Sequence, residues 1–178
     1  MRKWLSTAGS TLIELVTGIC LAGVLLTALF HMLAVSLQAR AQADSWLEVQ
    51  QTARHALDSM VRDIQFSDAI LAVSPEKISF RKRLFGEDHI SYWLDRSAAA
   101  AVIRRNQNAG INQPLTGGGS KTTISVSQLQ FAVLRVDAAG QPLTVGIQLT
   151  VTDLAIGSPE KRPAFTLVTA VTGMNIRR

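Results

Sequence analysis

The 178-residue chain is short of several residue types, and each shortage narrows what the protein can be. Its one cysteine, Cys20, excludes an intramolecular disulfide. No proline precedes Pro75, so a single continuous helix is permitted over a long N-terminal stretch. Between Leu12 and Leu37 the only charged residue is Glu14, which leaves this stretch as apolar as a membrane-spanning helix.

The apolar stretch is longer than the roughly 20 residues that a spanning helix needs. Its fourteen Leu, Ile, Val and Phe side chains favour membrane insertion by about 0.3 to 0.6 kcal/mol each. Together they outweigh the cost of one carboxylate, which is roughly 2.5 to 3.5 kcal/mol at the bilayer centre. We therefore expect the segment to enter a membrane despite Glu14. An acid retained in such a segment indicates a function, and its partner has to be identified.

No catalytic or cofactor motif is found in the sequence. It lacks the Gly-x-Ser-x-Gly pattern of serine hydrolases and the His-Glu-x-x-His pattern of zinc peptidases. The run Gly117 to Thr122 is not a phosphate-binding loop, because Ser120 separates the last glycine from Lys121 and a strand pattern follows. His31 has no Cys, Asp or Glu nearby at ligand spacing. We expect no enzymatic activity, no catalytic residues, no cofactor and no metal.

The formal net charge of +5 does not indicate nucleic-acid binding. Arg2 and Lys3 supply part of this charge, and no basic cluster alternates with aromatic residues. The densest basic run, Arg81-Lys82-Arg83, is more typical of a solvated strand end than of a phosphate site. We therefore expect no nucleic-acid partner.

Beyond Leu37 the sequence changes from uniformly apolar to amphipathic. Apolar residues recur every three or four positions and form a stripe on one helical face: Trp46, Val49, Ala53, Leu57, Met60 and Ile64. The pattern predicts one helix from about Thr11 to Phe66. Its first part, residues 10–37, would span the membrane, and its amphipathic part, residues 38–67, would dock on a globular domain.

After Pro75 the hydrophobic period changes to that of β-strands, which predicts a β-rich domain over residues 68–178. A shift in the alternation near Gln128 predicts a bulge in one of the two longest strands. The predicted strands are Lys77–Arg81, Ile90–Leu94, Ala99–Arg104, Thr123–Val136, Leu143–Thr152 and Phe165–Ile176, with a loop from Asn106 to Gly119. The predicted fold class is α+β, a long N-terminal helix packed on a C-terminal antiparallel sheet domain.

The N-terminal run Gly9-Ser10-Thr11-Leu12-Ile13-Glu14, between a short basic leader and the apolar stretch, resembles a known processing signal. It is similar to the prepilin signal of type IV pilins and type II secretion pseudopilins. The resemblance implies that residues 1–9 are a leader peptide, that prepilin peptidase cleaves between Gly9 and Ser10, and that Ser10 is N-methylated. Glu14 matches the family's glutamate, which implies pairing with the α-amino group of a neighbouring subunit during assembly. The family's usual first mature residue is Phe, where this chain has Ser10.

Three further segments resemble the J-type minor pseudopilin and W-type minor pilin group: Ala56–Ile64, Ile147–Val151 and Thr172–Arg178. The resemblance implies a pilin-like fold and a structural role in a type IV pilus or a type II secretion-like filament. The implied partners are other pilin or pseudopilin subunits, prepilin peptidase, an inner-membrane assembly platform and membrane lipid. The implied location is the bacterial inner membrane, then a filament tip or pseudopilus. Arg2 and Lys3 orient the single span with its N-terminus in the cytoplasm and the C-terminal domain outside.

Other interpretations of the same segments remain. Ala41-Gln42-Ala43 has the small-x-small form of a signal-peptidase site, although the apolar stretch is longer than the core of an ordinary signal peptide. The helix also fits a plain anchor for an extracytoplasmic binding module or for a tethered enzyme. Glu14 separates the pilin interpretation from these, because a plain anchor gains nothing from an acid inside the membrane.

Overall fold

The computed structural model describes residues 12–83, 87–108, 110, 112–117, 123–154 and 162–174. These ranges contain one helix, α1 (Leu12–Gln65), which packs on antiparallel β-sheets. The predicted α+β fold class is confirmed. The strands are β1 (Ala69–Ser74), β2 (Lys77–Arg83), β3 (Glu87–Asp95), β4 (Val102–Gln107), β5 (Gln113–Pro114), β6 (Ile124–Val136), β7 (Pro142–Asp153) and β8 (Ala164–Thr172).

The chain divides into two compact units between Asp44 and Ser45. In the first unit the described residues, 12–44, are all helical, and every one of their side chains is exposed. A lone helix cannot bury its own side chains, so this apolar surface has no cover within its own unit. The second unit contains the rest of α1 and all the described strands.

In the second unit, α1 buries the apolar stripe that the sequence predicts. Five of its six members are buried, whereas Trp46 is 37 % exposed. Ala56 lies on the same face and is also buried. The stripe belongs to a core with side chains from both sheets, including Ile78, Phe80, Ile90, Tyr92, Ile103, Leu129, Ile147 and Leu149. Burial of this one face is what distinguishes the second part of the helix from the first.

The first sheet is an antiparallel meander in which each strand pairs with the next, in the order β1-β2-β3-β4-β5. The sequence does not predict β1 because its burial does not alternate regularly, and only Ile70 is fully buried. Strand β4 lies three residues further along than expected and ends at Gln107, and the short β5 lies within the predicted loop. Strand β4 carries arginine and asparagine side chains, which obscure its apolar pattern.

The second sheet has the order β6-β7-β8 and matches the prediction closely. The register between β6 and β7 shifts between Val126 and Gln128, which confirms the predicted bulge. Strand β8 ends at Thr172, before the predicted limit of Ile176, and the Met174 amide instead donates to the Gln65 carbonyl at 2.8 Å. That bond joins the end of the last strand to the end of α1.

Candidate functional site: an exposed apolar helix with an acidic first turn

The candidate site is the first part of α1, residues 12–44. This helix near the N-terminus is long and apolar enough to cross a membrane, and none of its most apolar window is buried. Large side chains such as Leu12, Val24 and Phe30 are each more than 65 % exposed. An apolar surface of this size on a water-soluble protein marks a contact with lipid or with another protein.

Two of the three hydroxyl side chains of this segment, those of Thr17 and Thr27, are hydrogen-bonded within the helix. Thr17 Oγ1 donates to the carbonyls of Ile13 and Glu14 at 2.9 and 3.0 Å, and Thr27 Oγ1 donates to the Gly23 carbonyl at 2.8 Å. Back-bonded threonines of this kind present their methyl groups outward and place no unpaired hydroxyl in hydrocarbon. These two threonines therefore suit an apolar environment.

Glu14 lies in the first turn of α1, and its side chain is exposed. A carboxylate is favourable at this position because the N-terminus of a helix carries partial positive charge. In the described part of the chain the next acidic residue is Asp44, about 45 Å further along the helix at 1.5 Å per residue. The other two predicted site residues, Gly9 and Ser10, lie outside the described residues.

Two glycines on the exposed helix face open space among the described residues. A Cβ atom added at Gly18 or Gly23 meets no atom within 4 Å, although glycine inside a helix costs about 0.5–1 kcal/mol relative to alanine. Small residues on a membrane helix allow a second helix to approach closely. Both positions leave room on the helix surface for such an approach.

The second unit contains a charged cluster that sequence reasoning missed. Asp63, in the last turn of α1, accepts hydrogen bonds from Tyr92 Oη at 2.7 Å, Lys82 Nζ at 2.9 Å and Arg105 Nε at 3.1 Å. The donors come from β3, β2 and β4, so this one carboxylate fastens the end of the helix to three strands. The three donors are 19, 29 and 42 residues from Asp63 in the sequence, so no local sequence pattern predicts these contacts.

The ionisation of the Asp63 cluster indicates a structural role. Burial raises the pKa of the Asp63 carboxyl, but the hydrogen bonds from Tyr92 and Lys82 and the charge of Arg105 outweigh it, so the pKa falls below its ordinary 3.8. Burial, together with the Asp63 charge, raises the pKa of Tyr92 well above its ordinary 10.0. A general acid or base works best with a pKa near the ambient pH. Both pKa values move further from pH 7, which favours a structural salt-bridge network over a catalytic acid–base pair.

The described part of the second unit contains several cavities with polar linings. One of about 510 Å³ has Asp68, Arg81, Arg83 and Asp137 in its lining, with Arg83 Nε 4.0 Å from Asp68 Oδ2. It contains no histidine, cysteine, serine or threonine to act as a base or nucleophile. Within the described ranges, no group of three or more His, Cys, Asp or Glu residues is arranged to hold a metal ion.

The basic run Arg81-Lys82-Arg83 forms the end of β2 as predicted, but only Arg83 is exposed, so the prediction that the whole run is solvated is wrong. Lys82 is engaged with Asp63 and is only 17 % exposed, so it does not belong to an open basic surface. His31 and His55 both lie on α1 with exposed side chains. The chain matches no protein-family model, no curated protein and no solved structure.

Proposed function

We propose that this protein is a minor pilin-like or pseudopilin-like subunit that assembles into a type IV filament or a type II secretion-like filament through its N-terminal helix. The observation that carries the proposal is the fully exposed apolar segment of α1, which begins with an acidic turn and continues as the same helix into a folded unit. Its role is structural, with no catalysis and no cofactor. Within the family, the J-type and W-type minor subunits are the proposed group.

The proposed partners follow from what this helix must bury. Lipid covers the apolar surface before assembly, and the helices of other pilin or pseudopilin subunits cover it afterwards. Prepilin peptidase and an inner-membrane assembly platform are the further proposed partners. The proposed location is the inner membrane, with the N-terminus in the cytoplasm, followed by a filament tip or pseudopilus.

Glu14 supplies the specificity of the proposed assembly. A carboxylate in hydrocarbon is stabilised only by a partner, and cleavage after Gly9 would create a new cation, the α-amino group of Ser10. A neighbouring subunit can present that amine to Glu14, which fixes how far one helix slides along another. Gly18 and Gly23 would allow the close approach that this pairing needs.

The test of the proposed function is the N-terminus of the mature protein. The full chain is expressed with a prepilin peptidase, extracted from membranes and analysed by N-terminal sequencing and intact mass. The proposal predicts a chain that begins at Ser10. Gly9→Val should leave the leader attached, because the peptidase requires close backbone approach at this residue, whereas the matched variant Gly18→Val should be cleaved normally.

Two results would contradict the proposal. A chain beginning at Asp44 would identify Ala41-Gln42-Ala43 as a signal-peptidase site and the protein as a secreted product. A chain that keeps its leader with an active peptidase present would identify the helix as a plain anchor, and the binding-module interpretation would replace the filament subunit.

A further inference from the structure

The second unit has an open cavity of about 350 Å³ beside the Asp63 cluster. In its lining, α1 contributes His55, Ser59 and Arg62, and β4 contributes Arg105. The three helix residues are spaced by four and three positions, so they lie on one face of the helix. Cationic and hydroxyl side chains that reach one cavity from two elements are suited to binding an anion.

Arg105 is held in place by the Asp63 cluster and still has donors to offer. Its Nε donates to Asp63 Oδ2 at 3.1 Å and to Tyr92 Oη at 3.2 Å, and its Nη1 donates to Gln107 Oε1 at 3.1 Å. Its Nη2 has no hydrogen-bond partner in the described part of the chain. A guanidinium fixed in this way loses little conformational entropy when a ligand binds to its remaining N–H groups.

Ser59 and Arg62 add further donors from the helix side of the cavity. Among the described residues, neither the Ser59 hydroxyl nor the Arg62 guanidinium has a hydrogen-bond or ion-pair partner. The Ser59 side chain is partly buried, and a hydroxyl in such a place needs a partner from water or from a ligand. The exposed imidazole of His55 supplies another N–H group. The cavity therefore has donors available on both sides.

The charges around the cavity favour an anion. Asp63 accepts hydrogen bonds from two cations, Lys82 and Arg105, so these three groups together keep one positive charge in excess. Arg62 adds a second positive charge, and the exposed Asp58 offsets one of the two. The sum is positive, and an anion is the ligand whose charge complements it.

We propose that this cavity binds the phosphate group of a small phosphate monoester. The donors come from α1 on one side and from β4 on the other, and a tetrahedral phosphate has three free oxygens that point in different directions. A carboxylate has two oxygens in one plane, which suit a single guanidinium. The organic part of the ester lies beside Leu115, the partly buried apolar side chain in the lining.

Isothermal titration calorimetry on the full chain tests the inference, with the protein in a maltoside detergent that contains no phosphate. The probe is phenyl phosphate, which should bind at one site per chain with a Kd of about 1 mM or tighter. Benzoate has the same ring with a carboxylate and should bind at least about fivefold more weakly. Inorganic phosphate should also bind more weakly than phenyl phosphate, because it makes no contact with Leu115.

Four variants of α1 separate contact in the cavity from general attraction between charges. Arg62→Gln should weaken the binding of phenyl phosphate by about tenfold or more, and Ser59→Ala by about threefold or more. Asp58→Asn removes the opposing charge and should tighten binding by about twofold or more. The matched control is Arg54→Gln, which removes an exposed charge from the same helix but outside the lining. It should change the Kd by less than about twofold.

Four outcomes would overturn the inference. They are no binding of phenyl phosphate at millimolar concentration, equal binding of benzoate, equal binding of inorganic phosphate, and equal weakening by Arg62→Gln and Arg54→Gln. The third would assign the cavity to the free ion, and the last would reduce the binding to general attraction between charges. Each is independent of where the mature N-terminus lies, so failure here leaves the proposed function standing.

Discussion

Replacing Asp63 should destabilise the second unit more than replacing any other charged residue of α1. Asp63→Ala removes the one carboxylate that accepts from Tyr92, Lys82 and Arg105, and it leaves two cations and a phenol close together without it. The loss of stability exceeds what the three hydrogen bonds themselves contribute. The donors left behind lose their acceptor, and water replaces it only in part.

The magnitude follows from the exposure of the partners. Removing one member of a buried ion pair costs about 3–5 kcal/mol, and here the side chains are 15 %, 17 % and 24 % exposed for Asp63, Lys82 and Arg105. Some water therefore reaches the cluster, and we expect about 3 kcal/mol for Asp63→Ala, at the low end of that range. Tyr92→Phe keeps the stacking on Phe80 and loses only the hydroxyl, so about 1–2 kcal/mol is expected.

Urea unfolding of a fragment covering residues 38–178 measures both values, with the fluorescence of Trp46 and Trp93 as the signal. Asp58→Ala is the matched control, since Asp58 is exposed on the same helix and should change stability by less than about 0.5 kcal/mol. A double-mutant cycle with Asp63→Ala and Tyr92→Phe should give a coupling free energy of about 1 kcal/mol. If Asp63→Ala is as mild as the control, the cluster does not fasten the helix to the sheet.

Three further predictions concern the same fragment. Folding lowers the Asp63 pKa below 3.8, so the unfolded chain takes up the proton first as the pH falls. The stability that this group contributes should therefore be complete above about pH 5 and decline as the pH falls through the lowered pKa. Asp63→Asn should make the fall in stability at acid pH less steep. Folding raises the Tyr92 pKa, so the stability that this group contributes should decline as the pH rises above 10. Tyr92→Phe should remove this part of the loss of stability at alkaline pH. The fragment beginning at Gln38 should itself be monomeric, with circular dichroism showing both helix and strand; a spectrum of helix alone would reject the architecture.

The parts of the fold that the sequence predicts well are those governed by local periodicity. The helix expected from about Thr11 to Phe66 runs from Leu12 to Gln65, because no proline interrupts it and one stripe specifies its buried face. The long hairpin of β6 and β7 is equally clear, since the strict alternation along β7 leaves one register that buries its apolar side chains.

The parts that the sequence predicts poorly depend on contacts distant in the chain. Strand β1 is short and mostly exposed, and its place is set by pairing with β2. The Asp63 cluster draws its donors from three strands, and a carboxylate within Arg62-Asp63-Ile64 looks like any solvated helix residue until those strands are placed. The candidate site shows the opposite case, because an uninterrupted apolar run and a single acid are local properties that can be read directly from the sequence.

The most direct measurement of the central claim is photo-crosslinking from the apolar helix in cells that produce the full chain. A photoreactive amino acid replaces Leu25, which is 64 % exposed, and adducts with other small helical membrane proteins are quantified by mass spectrometry. Glu14→Gln removes the charge and keeps the size, so insertion and cleavage should be unaffected while adduct yield falls about tenfold, as expected for the loss of a charge pair in a low-dielectric environment. The exposed Glu48 on the same helix supplies the control Glu48→Gln, which should leave the yield unchanged. Equal yields for wild type and Glu14→Gln would contradict the claim that Glu14 directs assembly.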